Sequence, residues 1–128
     1  MQSVNVAESA LFIRIARLYH DQMTSEELYE AVRGVWKVGV ARSNVQLAFA
    51  VANGIVREVF VINQWHPAGT THYVTRNMKD IQVRGRWEFT GIPASDKIRN
   101  RYIGKSVAHY FQRGNANPIF YVNAKVEI

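Results

Sequence analysis

The chain has 128 residues, 48% hydrophobic and 20% charged, enough apolar material for one domain with its own core and too much for a disordered chain. It contains no cysteine, which excludes disulfide staples, thiolate metal sites and a cysteine nucleophile. The net charge of +6 is one-sided: residues 1–75 hold six bases and six acids, whereas ten bases face four acids from Arg76 onward, a balance that favours polyanionic partners.

No run of residues approaches the roughly 20 apolar positions that span a bilayer. The first ten residues lack a basic stretch followed by an apolar one, so the sequence predicts no signal peptide, no membrane partner and a cytoplasmic location. Neither a repeat nor a linker divides the chain, and residues 1–128 read as a single domain.

The elements follow in order. Residues 11–15 alternate and predict a first strand. Thr24-Ser25-Glu26-Glu27 is a capping box that opens a helix running to about Arg33, with Gly34 as its C-terminal stop. Residues 35–38 predict a second strand. The segment 45–62 holds two β-rich runs joined by Asn53-Gly54, a type I′ hairpin signature. A two-residue turn pairs Ala52 with Ile55, Val51 with Val56, Ala50 with Arg57 and Phe49 with Glu58. Both faces are then mostly apolar, so the hairpin is expected to be central and covered on both sides. A helix over 44–52, stopped by Asn53-Gly54, is the competing reading. A loop at 65–69, strands at 71–75 and 86–90, a helix over 96–102 capped by Ser95, a second short helix over 105–112 and a last strand at 119–126 complete the list. The expected fold is α+β: a small, strongly bent mixed or antiparallel sheet, or a barrel, with short helices at its rim.

Few residues carry a motif for chemistry. Tyr102-Ile103-Gly104, with Gly91-Ile92 upstream, matches fragments of a GIY-YIG nuclease. That chemistry needs the two tripeptides on adjacent strands, and the intervening segment here is capped and helical. Gly104-Lys105-Ser106 lacks the upstream glycine of a P-loop, because Arg99 stands in its place. The histidines His20, His66, His72 and His109 show no metal-ligand spacing. The tryptophans are more informative, since aromatic faces beside cations are what stacking a nucleotide base requires. Trp36 follows Arg33, Trp65-His66 sits at a predicted strand end, and Trp87 follows Arg86. Candidate base-binding residues are therefore Trp36, Trp65 and His66, with Arg33, Lys37 and Arg42 near them. Taken singly, Trp36 and Trp87 also read as half-buried core residues of a small barrel. Lys97, Arg99, Arg101 and Lys105 are the candidate phosphate contacts, because Lys97 and Arg101 share a helix face.

The stretches "LYHDQMTSEELYEAVRGVWKVGVAR", "ANGIVREVFVINQWHPAGTT", "GRWEFTG", "IRNRYIGKSVAHYF" and "NPIFYVN" together resemble a little-characterised bacterial domain associated with GIY-YIG-type nuclease proteins. The resemblance covers most of the chain from about Leu18 and implies an accessory role in DNA restriction, repair or defence. It places no catalytic residue in this chain. The strand order and the "NGIVREVFVI" hairpin are also similar to PUA-like barrels such as the EVE and ASCH domains, which bind RNA or modified bases.

The resulting expectation is a nucleic-acid-binding module for DNA or RNA, with a modified or flipped base as one ligand, rather than an enzyme, and with no cofactor or metal. The alternatives are a metal-dependent nuclease or hydrolase using His66, His72 and Glu88, and a protein–protein interaction module.

Overall fold

The computed structural model describes residues 2–124; the expected end of the last strand, at 125–126, lies outside them. Six strands make one sheet: β1 (Ala10–Arg14), β2 (Gly34–Trp36), β3 (Leu47–Ala52), β4 (Ile55–Pro67), β5 (Trp87–Pro93) and β6 (Ile119–Val122), in the order β2-β5-β4-β3-β1-β6. β1 and β3 run parallel and the other neighbours antiparallel. The helices are α1 (Ser25–Arg33), α2 (Met78–Ile81) and α3 (Asp96–Tyr102), with 3-10 turns at Val40–Asn44 and Ala108–Tyr110. The sheet curls into a half-barrel, the α+β architecture expected from the sequence. The curl brings the two edges together at one end, where Trp36 of β2 shares a hollow with Pro118, just before β6. Among the described residues no helix is long and apolar enough to cross a membrane.

The hairpin forms as its turn dictates. Asn53 and Gly54 have φ of 55° and 75°, the left-handed pair of a type I′ turn, and Ala52 pairs with Ile55 and Val51 with Val56. Beyond that point the expected register fails. Arg57 is an extra residue, so Ala50 pairs with Glu58 and Phe49 with Val59. The bulge moves Val59 onto the face of Leu47, Phe49, Val51 and Val56, and Phe60 onto the face of the alanines. Strict alternation would instead have driven Glu58 into the Phe49 core. With the bulge, Arg57 reaches back to the Ala52 carbonyl (3.1 Å) and lies over the Tyr19 ring, while Glu58 meets Arg99 of α3.

Both faces of the hairpin are covered. On one, Phe12, Phe49, Val56 and Val59 pack with Tyr102 of α3 and with Val107. On the other, Ala48, Ala50 and Ala52 leave room for α1, whose Val32, Leu28 and Tyr29 pack with Phe60 and Phe89. α1 itself starts at the expected capping box: the Glu27 N–H donates to the Thr24 hydroxyl (3.1 Å) and the Thr24 N–H to the Glu27 carboxylate (3.0 Å).

Gly34 corrects its assigned role. It is extended (φ −168°) and begins β2 directly instead of closing the helix in a left-handed turn. Glycine is needed there for closeness, since a Cβ would stand 2.9 Å from the Glu88 Cβ and on top of the Tyr73 hydroxyl. Gly34→Ala is therefore expected to destabilise the fold by about 1–3 kcal/mol, the usual range for overpacking. A lower urea midpoint at unchanged slope would show it.

Three further expectations are corrected. The segment 65–69 is mostly strand, because β4 runs on to Pro67 and pairs Trp65, His66 and Pro67 with β5. Residues 71–75 form a loop, not a strand, because the Thr71, Val74 and Thr75 N–H groups are taken by buried carboxylates rather than by a neighbouring strand. Only Ala108–Tyr110 of the segment 105–112 winds into a 3-10 turn; Lys105 instead offers its carbonyl to Val56 and Ser106 bridges to Ile55.

Candidate functional site

At the end of the sheet built by β2, β5 and the second half of β4, alternation along β5 sends Glu88 to one face and Trp87 and Phe89 to the other. Glu88 is fully buried. Its Oε1 accepts from the Gly69 N–H (2.7 Å) and the Tyr73 hydroxyl (3.1 Å), and its Oε2 from the Thr71 N–H (2.8 Å) and the Thr71 hydroxyl. Glu30 of α1, also buried, accepts from the Val74 and Thr75 N–H groups, both at 2.7 Å, and from the Thr75 hydroxyl. Arg33 lies beneath them. It donates to Thr71 Oγ1, to the His72 and Phe89 carbonyls, and covers the Tyr73 ring at 3.7 Å. Arg76 donates to the Glu30 and Gly34 carbonyls. Two carboxylates and two guanidinium groups thus pin the 69–76 loop onto α1 and the sheet.

Burial alone would raise the Glu88 carboxyl, but hydrogen bonds from Thr71, Gly69 and Tyr73 outweigh it and hold it below its ordinary value. Burial likewise opposes, and the bonds from Thr75 and Val74 likewise depress, the Glu30 carboxyl. Tyr73 is pushed up, first by its burial, and stays protonated as a donor to Glu88. Carboxyls depressed in the folded state contribute stability above their unfolded value near 4.5, and that contribution is lost as pH falls through the lower folded values. The melting temperature is therefore expected to hold between about pH 7 and 5 and to fall below about pH 4.5, with a shallower acid limb in Glu88→Gln. An acid limb of equal steepness in both proteins would contradict the assignment to Glu88.

The other face gathers all three tryptophans, each half-buried. Trp36 and Trp87 are cross-strand partners, Trp87 also stands opposite Pro67, and Trp65 stands opposite Phe89. Trp65 reaches this face because Asn63 is a second extra residue in β4, which shifts the alternation after Ile62. Each ring is fixed. Trp36 Nε1 donates to the Val32 carbonyl (2.6 Å), Trp65 Nε1 donates to the Arg42 carbonyl (3.0 Å), and Trp65 meets Phe89 edge-on at 5.4 Å. The Val40–Asn44 turn lies across them. The Arg42 guanidinium sits 3.7 Å from the centre of the Trp87 ring, and its Nη1 donates to the Gly39 carbonyl (2.9 Å). Beside this stack is a hollow of about 360 Å³ lined by Arg42, Asn63, Gln64, Trp65 and Trp87. A second hollow, of about 540 Å³, is lined by Trp36 with Arg14, Arg17 and Leu18. No acidic side chain lines either. Lys37 follows Trp36 and Arg86 precedes Trp87, and both are exposed.

The structure therefore brings together Trp36, Trp65 and Arg42 from the candidate set, while Lys37 is exposed and only follows Trp36 in the chain. Arg33 lies beneath the corner, 3% exposed and committed to internal bonds. His66 points to the opposite face, paired with Glu88 in register and bonded to Thr90 Oγ1 at 3.2 Å. The candidate phosphate contacts lie elsewhere, on and after α3. Arg99 makes a paired contact to Glu58 (2.8 and 3.0 Å), Arg101 meets Glu8 (3.0 Å), and Lys105 Nζ donates to Gln2 (3.3 Å). Lys97 makes no ion pair among the described residues. Trp87 and Arg17 also line the corner and were not among the candidates. The adjacent Arg86-Trp87 pair was the available signal for Trp87.

Comparison with protein-family models, curated proteins and solved structures gave no match. The function must be read from this geometry.

Proposed function

We propose that this chain is a nucleic-acid-binding module whose interface is the Trp36–Trp65–Trp87 corner. The observation that carries the reading is the Arg42 guanidinium stacked on Trp87 at the rim of a hollow with no acidic lining. A guanidinium held flat on an indole is pre-organised: little side-chain freedom remains to be lost when its other N–H groups grip a phosphate. Lys37, Arg84 and Arg86 add exposed charge around the same strand ends, and the tryptophans supply π-faces for bases. Binding is by stacking and charge, without a covalent step. A modified or flipped base, and an accessory role in DNA restriction, repair or defence, belong to this reading through the sequence resemblance.

The α3 bases contribute less in this reading, because Arg99 and Arg101 are neutralised by Glu58 and Glu8. A metal-dependent hydrolase at His66, His72 and Glu88 is disfavoured, since both Glu88 oxygens are filled by internal donors. Among the described residues no group of three His, Cys, Asp or Glu side chains could hold a metal ion.

Fluorescence anisotropy across a salt series tests the proposal. With about four phosphate contacts, a plot of log affinity against log salt should slope at about −3 for a single strand. Affinity that barely changes from low to moderate salt would overturn it.

A further inference from the structure

Resting on that reading, we infer that the corner takes single-stranded rather than double-stranded nucleic acid, with the strand crossing the Trp36–Trp87 pair so that bases enter the hollows on both sides. The two hollows are lined by neighbouring members of one cross-strand pair: Trp87 walls the smaller and Trp36 the larger. Side chains so paired lie only about 5 Å apart, so one continuous ligand can span both hollows.

The linings differ in a way that suits a strand. The smaller hollow offers Asn63 and Gln64, whose amides can both donate to and accept from a base edge, beside the flat Arg42 guanidinium. The larger offers the Trp36 indole and the exposed Leu18 with two arginines. Arg14 is held by the Asn115 and Asn117 carbonyls and lies over Phe111, whereas Arg17 is exposed and makes no bond among the described residues. Concave, tryptophan-walled hollows are filled only by bases with a free face and a free edge. A duplex keeps the faces inside its stack and the Watson–Crick edges inside its pairs, so without flipping a base out it could touch the rim only with phosphates and groove edges, leaving the hollows empty. Single strands present both, whether the sugar is deoxyribose or ribose, and DNA and RNA arms of the experiment separate those sources.

The test is anisotropy with labelled single strands of DNA and of RNA, from a dinucleotide to a dodecamer, and with the dodecamer duplex, at one fixed salt concentration. The single-stranded dodecamer is expected to bind at least about tenfold more tightly than the duplex, the effect of one stacked base. Affinity should step up by about tenfold or more once the strand is long enough to fill both hollows. Arg17→Ala and Leu18→Ala, both at exposed positions, should remove that step. Trp36→Phe, which keeps an aromatic wall, should weaken the long strands only partly. Duplex binding equal to or tighter than single-strand binding, or a length series without a step, overturns this inference and leaves the proposed function standing. Failure of every oligonucleotide to bind removes both.

Discussion

Glu88→Ala is expected to lower the melting temperature by roughly 10–20 °C, through a loss of about 3–5 kcal/mol. The side chain is fully buried and accepts four hydrogen bonds, two from backbone N–H groups and two from hydroxyls. Removing it leaves those donors without acceptors in the interior, and an unmet buried donor costs about 1–3 kcal/mol. It also leaves Arg33, 3% exposed and bonded to the same Thr71, with less negative charge beside it. Glu88→Gln should lose less, because the amide keeps one acceptor oxygen while its NH2 faces N–H donors. The damage should also reach the tryptophan corner, since Glu88 stands between Trp87 and Phe89 on β5. Calorimetry decides it: a drop of only one or two degrees would mean that the 69–76 loop is held by something else.

Arg42→Glu is expected to weaken oligonucleotide binding by about 100-fold while leaving the fold nearly intact. A charge-assisted hydrogen bond is worth about 1.5–3 kcal/mol, and the reversed charge adds repulsion from phosphate. The fold should tolerate the change because Trp65 is held by the Arg42 backbone carbonyl, which the substitution keeps. What is lost is the exposed bond to the Gly39 carbonyl and the stack on Trp87, the latter about 0.5–1 kcal/mol at a partly exposed site. Arg42→Lys should fall between, at about tenfold weaker, since lysine keeps the charge but not the planar fork. Lys97→Glu on α3 serves as the control and should change affinity by less than about threefold, the loss of distant screened charge. Equal losses from Arg42→Glu and Lys97→Glu would point to a diffuse electrostatic surface instead of a site.

What was legible in the sequence was local. The Thr24–Glu27 capping box, the Asn53-Gly54 turn and the Ser95 cap each sit within a few residues, and each formed as its side-chain chemistry requires. The two-sided apolar hairpin predicted a central position in the sheet, and it has one. What was not legible depended on distant partners. The Arg57 and Asn63 bulges have no periodic signature. They are favoured by Tyr19, Arg99 and the run of β5, all far away in sequence, and they decide which of Phe60, Val59 and Trp65 faces α1. The segment 71–75 has strand composition yet becomes a loop because Glu30 and Glu88 take its Thr71, Val74 and Thr75 N–H groups. Gly34 follows a helix, as a stop signal would, but is glycine because Glu88 and Tyr73 crowd it.

The candidate site divides in the same way. Charge and aromaticity marked Trp36, Trp65 and Arg42, and these share a corner. Sequence could not show that Glu58 and Glu8 cross the fold to pair with Arg99 and Arg101, or that Arg33 is buried by the loop it holds. Nor could it show that Arg42 would lie on Trp87, a contact between residues on a turn and a strand far apart in the chain.

The chain contains three tryptophans and all of them are at the corner, so their indole N–H signals report on the proposed interface and on nowhere else. The most direct test of the central claim is an NMR titration of the 15N-labelled protein with a single-stranded oligonucleotide, following those three signals beside the backbone amides of α3. Saturable shifts at Trp36, Trp65 and Trp87, with the α3 amides nearly still, are the predicted result. Saturation of binding with the three indole signals unmoved and the shifts confined to residues 97–101 would contradict it.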